Sequence, residues 1–344
     1  MKTSLLLLAS FFLLAIGCKK HNDSNTPTPP PKNPDIYVAG TEYNSSNITV
    51  AKLWKNGMAQ SLTDGSKNAT VSSVYVSGSD IYVAGSENNS SNYAVAKLWK
   101  NGTAQSLTDG TKNAEAMSVY VSGSDVYVAG YEYNNVNKSV ARLWKNGIAQ
   151  SLTAGPGESI ARSVFVSGSN VYVTGNDDPG PPFLAILWKN GLGQRLTDGT
   201  YNSEAHAVYV SGSDVYVAGA EINGSNRVAK LWKNDIPQPL TDGSMDAYAS
   251  SVYVSGNDVY VAGNEYNNTG KLVAKVWKNG LAQPLTDGAN AARVNSVYVS
   301  GSDVYAAGNE YNGSNNVAKL WKNGTAQPLT DGSKDAIARS VFVK

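Results

Sequence analysis

The sequence predicts an all-β protein, a seven-bladed β-propeller with four antiparallel strands in each blade. Three observations support this prediction. A tryptophan-containing phrase recurs seven times at intervals of 44 or 45 residues, each copy reads as four short strands, and the first and last copies are complementary pieces of one unit. A fixed period of this length is typical of architectures whose repeating unit cannot bury its apolar surface alone.

The seven tryptophans of the chain define the repeat, since each occupies the same place in its copy: Trp54, Trp99, Trp144, Trp188, Trp232, Trp277 and Trp321. In one copy, residues 118–121, 126–129, 140–144 and 149–153 are predicted strands, here called a, b, c and d. Strands a to c are rich in Val, Tyr and Trp, which favour strands. No helical period follows residue 35.

The turns predict how the four strands pair. Six copies place Asn-Gly between strands c and d, and the fifth has Asn234-Asp235. These residues tolerate the positive φ that a two-residue type I′ hairpin needs. Ser-Gly-Ser-Asp or a close variant separates strands a and b. Strand b is apolar at nearly every position, so we expect antiparallel blades stacked face to face, with strand b buried on both sides.

The two ends of the repeat region favour a closed ring over an open solenoid. The region begins within strand b, at residues 35–39, and ends with strand a, at residues 340–343. The C-terminal strand a can therefore complete the N-terminal blade. A solenoid would need polar caps, whereas a ring leaves no exposed terminal sheet.

Two further sets of aromatic residues recur and are predicted to pack between blades. Strand b contributes Tyr37, Tyr82, Tyr127, Tyr172, Tyr216, Tyr260 and Tyr305. Strand a contributes Tyr75, Tyr120, Phe165, Tyr209, Tyr253, Tyr298 and Phe342.

Residues 126–130, Val-Tyr-Val-Ala-Gly, followed by 140–147, Val-Ala-Arg-Leu-Trp-Lys-Asn-Gly, resemble known propeller repeats of secreted bacterial proteins. The similarity is to the SBBP-type repeat and, more loosely, to kelch, and it covers residues 35–344. It implies a propeller and no particular activity.

The N-terminus predicts export and lipid anchoring. Lys2 precedes an apolar run over residues 5–16, and Ala15-Ile16-Gly17-Cys18 resembles the lipobox of bacterial lipoproteins. That resemblance implies a signal peptide at 1–17, cleavage before Cys18 and lipidation of Cys18; the alternative is an uncleaved anchor with an incidental cysteine. Residues 18–34 then form a Pro-rich linker, and 35–344 the propeller. We expect a monomer attached by its lipid alone to a bacterial membrane, at the outer membrane or cell surface.

Composition excludes several function classes. The net charge of +1 offers no basic field for nucleic acid, and one cysteine permits no intramolecular disulfide. The two histidines, His21 in the linker and His206, assigned to a d–a loop, form no zinc or triad pattern. We expect no catalytic residue, no metal and no cofactor.

The long b–c and d–a loops should share one face of the ring, and a repeated polar pattern after strand b makes that face the candidate site. The candidate binding residues are Glu42, Tyr43, Asn44, Glu87, Glu132, Tyr133, Asn134, Glu221, Glu265, Tyr266, Asn267, Glu310, Tyr311 and Asn312. Tyrosine offers a flat face for stacking and a hydroxyl, which together with Glu and Asn suits a sugar. Alternatively, Asn caps loop backbone and Glu pairs with a nearby Lys.

The expected function is therefore a cell-surface binding module, either carbohydrate-binding (lectin-like) or a protein-interaction scaffold, with an unknown glycan or surface protein as partner. The alternative is a carboxylate-dependent glycan-active enzyme, a hydrolase or lyase, on the same face. Two features remain open. The Thr-Asp-Gly motifs that follow strand d are turn starters or, less simply, metal ligands. The divergent fourth unit, from Asn176 to Phe183, is a decayed copy or a specialised site.

Overall fold

Short strands and tight turns alternate from Ile36 to Val343, and the strands form seven separate four-stranded sheets. The computed structural model describes residues 33–155, 157–178, 180 and 182–344. The repeats belong to one unit, Pro34–Lys344. The all-β, seven-bladed propeller is thereby confirmed.

Each blade has the order a, b, c, d from the axis outward. The inner a strands are β4 (Ala69–Ser77), β8 (Ala114–Ser122), β12 (Glu158–Ser167), β16 (Ser203–Ser211), β20 (Ala247–Ser255), β24 (Ala292–Ser300) and β28 (Ala336–Val343). The b strands are β1 (Ile36–Tyr43), β5 (Asp80–Asn88), β9 (Asp125–Tyr133), β13 (Asn170–Asp178), β17 (Asp214–Asn223), β21 (Asp258–Tyr266) and β25 (Asp303–Tyr311).

The outer half of each blade is shorter. The c strands are β2 (Thr49–Lys55), β6 (Ala94–Lys100), β10 (Ser139–Lys145), β14 (Leu184–Lys189), β18 (Asn226–Lys233), β22 (Leu272–Lys278) and β26 (Asn316–Lys322). The d strands, exposed along their length, are β3 (Met58–Ser61), β7 (Thr103–Ser106), β11 (Ile148–Ser151), β15 (Leu192–Arg195), β19 (Ile236–Pro239), β23 (Leu281–Pro284) and β27 (Thr325–Pro328).

The c–d turns have the backbone that their residues predict. Asn56 has φ 52° and Gly57 has φ 82°, and in the fifth copy Asn234 and Asp235 have φ 49° and 66°. Positive φ at both central residues defines the type I′ hairpin. The side chain of each turn Asn also bonds back to strand b, as in Ile36 N to Asn56 Oδ1 at 2.8 Å.

The ring is closed as predicted, because β28 pairs with β1 in blade 1. Phe342 lies opposite Tyr37 in that ladder. A belt of side-chain bonds continues across both neighbours: the amide of Val74 donates to Ser340 Oγ at 3.1 Å, and the amide of Val341 donates to Ser296 Oγ at 3.2 Å. The closing strand is therefore bonded to blades 1, 2 and 7.

The core lies between blades in seven clusters. In the cluster between blades 1 and 2, Tyr37 and Leu53 of blade 1 pack with Val74 and Trp99 of blade 2. Trp99 is 1% exposed. Each tryptophan thus serves interblade packing, as predicted.

The strand-a aromatics form a closed ring around the axis, a more specific arrangement than the blade packing expected. Neighbouring ring centroids are 4.6–5.0 Å apart at all seven steps, including Tyr75 to Phe342 across the closure. These tilted pairs fall within the range of favourable aromatic contacts. The axis is therefore filled at this level.

Strands a and b are longer than the sequence pattern predicted. The predicted strand a at 118–121 extends back to Ala114, and strand b continues past Gly130 to Tyr133. Glycine does not end strand b. A Cβ on Gly130 would lie 2.0 Å from the Glu115 carbonyl, at the place where the register shifts between Ala116 and Ser118. The glycine allows a β-bulge, and the ladder continues beyond it.

The predicted signal peptide, Cys18 and most of the linker lie outside the described residues. Within the part of the chain that the structure describes, no helix has the length and apolar character needed to cross a membrane.

Candidate functional site

The repeated Glu residues of the predicted site lie at the ends of b strands, not in b–c loops, because the ladder continues through them. All six pair with the basic residue of strand c in the same blade. Glu42 lies 3.2 Å from Lys52 Nζ, Glu87 3.6 Å from Lys97, and Glu132 3.0 Å from the Arg142 guanidinium. The remaining pairs are Glu221–Lys230, Glu265–Lys275 and Glu310–Lys319.

The repeated Asn residues close the b–c loops. Asn44 Nδ2 donates to the Gly65 carbonyl of the d–a loop at 3.0 Å, while its Oδ1 accepts the amides of Ser46 and Ile48 at 2.9 and 3.0 Å. The same local bonds recur, wholly or in part, at Asn89, Asn134, Asn267 and Asn312. These contacts are the backbone-capping alternative considered from the sequence.

The repeated tyrosines are the members of the set that remain accessible. Tyr43, Tyr266 and Tyr311 are 37%, 38% and 38% exposed. Tyr133 is half-buried, with its ring centroid 5.9 Å from that of Tyr131. They terminate b strands at the rim, so the sequence-predicted set is spread around the face, with one group in each blade except the fourth.

The Thr-Asp-Gly motifs form turns. Asp64 Oδ1 accepts the amide of Ser66 at 2.8 Å, and Asp109, Asp198, Asp242, Asp287 and Asp331 repeat this bond. The bond to the Ser66 amide lowers the pKa of Asp64. Across the described residues, no three His, Cys, Asp or Glu side chains converge as metal ligands.

The fourth unit loses the rim ion pair. Asp177 takes the place of the repeated Glu, since it lies opposite Leu184 as Glu42 lies opposite Val50. Ile186 stands where other blades have Lys or Arg. Burial raises the pKa of Asp177, opposed by the charge of Arg195.

A central recess opens at the loop face, the face that carries the b–c and d–a loops. It encloses about 380 Å³. One strand-a residue from each of the seven blades lines it: Arg339, Ser72, Met117, Arg162, His206, Ser250 and Asn295. Thr41, Thr70, Val71, Glu115 and Tyr248 complete the wall. The aromatic ring lies three residues further along each a strand, so the recess is a cup above a filled axis.

The recess residues vary between blades although the scaffold does not. Two strand-a positions carry this variation: the seven recess residues above and a second set, Ile337, Thr70, Glu115, Ile160, Glu204, Tyr248 and Arg293. The strand-b positions paired with the second set vary as well: Thr41, Ser86, Tyr131, Asn176, Ala220, Asn264 and Asn309. The recess is consequently asymmetric.

Hydroxyl groups hold Glu115 on one side of the recess. Tyr131 Oη donates to its Oε2 at 3.1 Å, and Thr70 Oγ1 and Ser72 Oγ donate to Oε1 at 3.3 and 3.4 Å. Burial, followed by the Glu115 charge, raises the pKa of Tyr131, so its phenol remains a donor.

A second carboxylate, Glu204, is held by a histidine and an arginine. Its Oε2 lies 2.8 Å from His206 Nε2, and its Oε1 accepts from Arg227 at 3.3 Å. The hydrogen bond from His206 is the main factor that lowers the pKa of Glu204 to about 2, against opposing burial. His206 Nδ1 faces the Ala249 carbonyl at 2.8 Å. Both ring nitrogens of His206 therefore lie within hydrogen-bonding distance of an oxygen.

Four arginines surround the recess in different environments. Arg162 Nε donates to Asn176 Oδ1 at 2.9 Å, and Arg227 pairs with Glu204. Arg339, which lines the cup, and Arg293, on the neighbouring a strand, are exposed to solvent. Desolvation lowers the pKa of Arg339; the charge of Glu115 opposes this effect, and the charge of Arg293 adds to it.

Sequence reasoning missed the recess. His206, assigned to a loop, lies in β16, and Glu115, Arg162 and Arg339 lie upstream of the predicted strand starts. A signal was present in the repeat: in an alignment of the seven copies these positions differ from blade to blade, as the exposed d-strand ends and the loops also do.

The fold is similar to parts of longer proteins of known structure. A puromycin-hydrolyzing peptidase of Mycobacterium tuberculosis matches with a TM-score of 0.59 and 11% identity over 87% of this chain. An acylaminoacyl peptidase of Pyrococcus horikoshii matches with a TM-score of 0.55 and 14% identity over 88% of it. TolB from Acinetobacter baumannii matches with a TM-score of 0.50 and 15% identity over 73% of it.

This chain spans 53%, 51% and 64% of those three chains, and at these identities the likeness concerns the fold alone. Neither a protein-family model nor a curated protein matches the sequence.

Proposed function

We propose that this protein is an exported, lipid-anchored binding module that takes a glycan in the central recess of its loop face. The observation that carries the proposal is that one concave recess on the axis brings together side chains from all seven blades that differ in size and charge. Repeats that share a scaffold need no variation for packing. Different side chains at equivalent, solvent-facing positions suit one asymmetric ligand.

The chemistry of the wall supports a polyhydroxylated ligand. Ser250, Thr70 and Ser72 offer hydroxyls, Asn295 an amide, and Glu115 acceptor oxygens. Sugars present alternating donors and acceptors, which such a mixed wall can match. The volume of about 380 Å³ falls within the usual range of small-ligand pockets. The exposed rim tyrosines, Tyr43, Tyr266 and Tyr311, would then serve as peripheral stacking surfaces for a longer chain.

Binding is favoured over hydrolysis or lysis. A carboxylate-dependent glycosidase needs a carboxylic acid that carries a proton near neutral pH. Glu204, with its pKa lowered to about 2, is ionised there. Glu115 already accepts three hydroxyl donors. Both carboxylates thus hold neighbouring side chains of the recess wall in place through hydrogen bonds and ion pairing.

The test blocks the recess in one blade. Ser250→Trp places an indole in the cup, whereas Ser244→Trp places the same group on the exposed d–a turn of the same blade and face. We expect the full chain to bind members of a glycan array, Ser250→Trp to abolish that binding and Ser244→Trp to retain it. Equal binding by both variants at unchanged melting temperature would exclude the recess as the site.

The anchor has its own test. Cys18→Ala removes the thiol that would carry lipid, so the variant should not incorporate labelled fatty acid. Labelling at the level of the unmodified chain would show that Cys18 is not the acylated residue.

A further inference from the structure

The charges around the central recess do not cancel. Arg162 and Arg339 line the recess, Arg227 and Arg293 lie near Glu204 and the wall residue Tyr248, and the carboxylates among these groups are Glu115 and Glu204. Even with His206 neutral, two positive charges are in excess. A concave site with a net positive charge concentrates anions from solution.

The excess is localised on Arg293 and Arg339 of the neighbouring blades 7 and 1. Arg227 is 3.3 Å from a Glu204 oxygen, and Arg162 is attracted by the charges of both Glu204 and Glu115, while Arg339 is attracted by Glu115 without contacting it. Arg293 and Arg339, by contrast, make no ion pair or side-chain hydrogen bond with any other described residue. The charge of Arg293 also disfavours the charged form of Arg339. An oxyanion between them would relieve that repulsion.

The surroundings of the pair supply neutral donors. Arg293, Arg227 and Arg339 all act electrostatically on the hydroxyl of Tyr248, which has no hydrogen-bond partner among the described residues. Asn295 lies between the two arginines along the wall, held by its Nδ2 bond to the Ala338 carbonyl at 2.8 Å. Planar guanidinium groups bind carboxylate and sulfate oxygens in pairs, a geometry that a lysine cannot reproduce.

We propose that the ligand of the central recess is an acidic glycan whose carboxylate or sulfate group binds between Arg293 and Arg339, next to the Tyr248 hydroxyl. This inference rests on the proposed glycan-binding function and specifies its ligand class. The sugar hydroxyls face Glu115 and the Ser and Thr side chains across the cup.

The test compares matched ligands on the full chain by calorimetry. Tetragalacturonate carries carboxylates, its methyl ester carries none, and a chondroitin sulfate tetrasaccharide adds sulfate. We expect the free acid to bind at least about tenfold more tightly than the ester, and the preference to weaken with salt. The ratio of the dissociation constants of the two acidic ligands shows whether a carboxylate or a sulfate is the preferred oxyanion.

Substitutions of Arg293 and Arg339 test where the carboxylate or sulfate of the ligand binds. Arg293→Gln with Arg339→Gln should lose at least about tenfold in affinity for the acidic ligand. Arg195→Gln, an exposed arginine of the outer strand β15, should lose none. The paired Lys substitutions keep the charge, so they should lose less than the Gln pair and keep the proposal testable if the Gln pair fails to fold.

Opposite outcomes separate the two proposals. Equal affinity for acid and ester would overturn the acidic-ligand inference and leave glycan binding intact. Full affinity of the Gln pair for tetragalacturonate would overturn the assignment to these arginines. Binding of polyglutamate with no binding of any glycan would overturn the glycan-binding function itself.

Discussion

The outer scaffold and the axial wall of the same blades are built by opposite rules. At the scaffold position of Trp54, Trp99 and Trp144, every blade has the same residue and the same burial. At the wall position of Met117, Arg162 and His206, successive blades differ in size and charge. Because the interfaces between blades are equivalent, the same residue packs equally well in each of them. Where the wall faces solvent, packing imposes no such restraint, and the residues are free to suit a ligand.

The largest effect should come from breaking the scaffold at its closure. Deletion of residues 338–344 removes most of β28, which pairs with β1 and buries Val341 and Val343 against blade 7. We expect insoluble protein or a melting temperature lowered by tens of degrees, because one blade loses its inner strand. Arg339→Gln, a wall change in the same strand, is the control and should melt near the unmodified chain. A deletion variant that melts normally would exclude β28 as the closing strand.

The aromatic ring tests the boundary between scaffold and wall. Tyr120→Ala removes a ring that contacts Tyr75 and Phe165 at 4.8 Å, so we expect a loss of about 2–4 kcal/mol in the free energy of unfolding. Tyr120→Phe should cost less than about 1 kcal/mol, since Phe165 and Phe342 already occupy this position in other blades. Denaturant unfolding measures both. If Tyr120→Ala and Tyr120→Phe lowered the free energy of unfolding equally, the hydroxyl and not the ring would be the stabilising group.

A wall carboxylate should have a smaller effect that depends on pH. The folded state lowers the pKa of Glu204 from 4.5 to about 2. A lowered carboxyl pKa stabilises the fold above the unfolded value, and the contribution disappears as pH falls through the folded value. Glu204→Gln should therefore cost about 1–3 kcal/mol near neutral pH.

The cost of Glu204→Gln should shrink steadily below about pH 4.5 and nearly vanish at about pH 2. Glu221→Gln, which removes a rim ion pair with Lys230, is the matched control. Denaturant melts at several pH values give the comparison. A pH-independent cost for Glu204→Gln would contradict the lowered pKa.

The smallest effect is expected at the rim. Tyr266→Ala changes a side chain that is 38% exposed at the end of β21, so the free energy of unfolding should fall by no more than about 0.5 kcal/mol. Glycan binding should weaken only partly, and further in a variant that also changes Tyr43, Tyr133 and Tyr311. A loss of several kcal/mol would place Tyr266 in the scaffold and remove the basis for a stacking role.

The sequence was sufficient to predict the fold because its signals are local and repeated. The period of Trp54 and its equivalents, the Asn56-Gly57 turns and the split between residues 36–39 and 340–343 each specify one feature of the ring. Their agreement left one architecture, and the observed pairing of β1 with β28 confirms it.

The site was harder to predict because a β-bulge interrupts the sequence pattern of the strand that carries it. The register shift between Ala116 and Ser118 breaks the alternation of strand a, so the pattern is recognisable only from Ser118 onward. Met117 and Glu115 then look like loop residues. The repeated Glu42 and Asn44 attracted attention instead, and their contacts with Lys52 and Gly65 depend on neighbours that no local pattern reveals.

The pairing of β1 with β28 also orders events during synthesis. Blades 2 to 7 each consist of four consecutive strands, so each can form soon after its own segment is complete. Blade 1 cannot, because its inner strand comes from the opposite end of the described chain. Until β28 arrives, β1 presents an apolar, unpaired edge of the kind that promotes aggregation. A prematurely terminated chain would retain that edge, so the last strand distinguishes complete from truncated molecules before any ligand can bind.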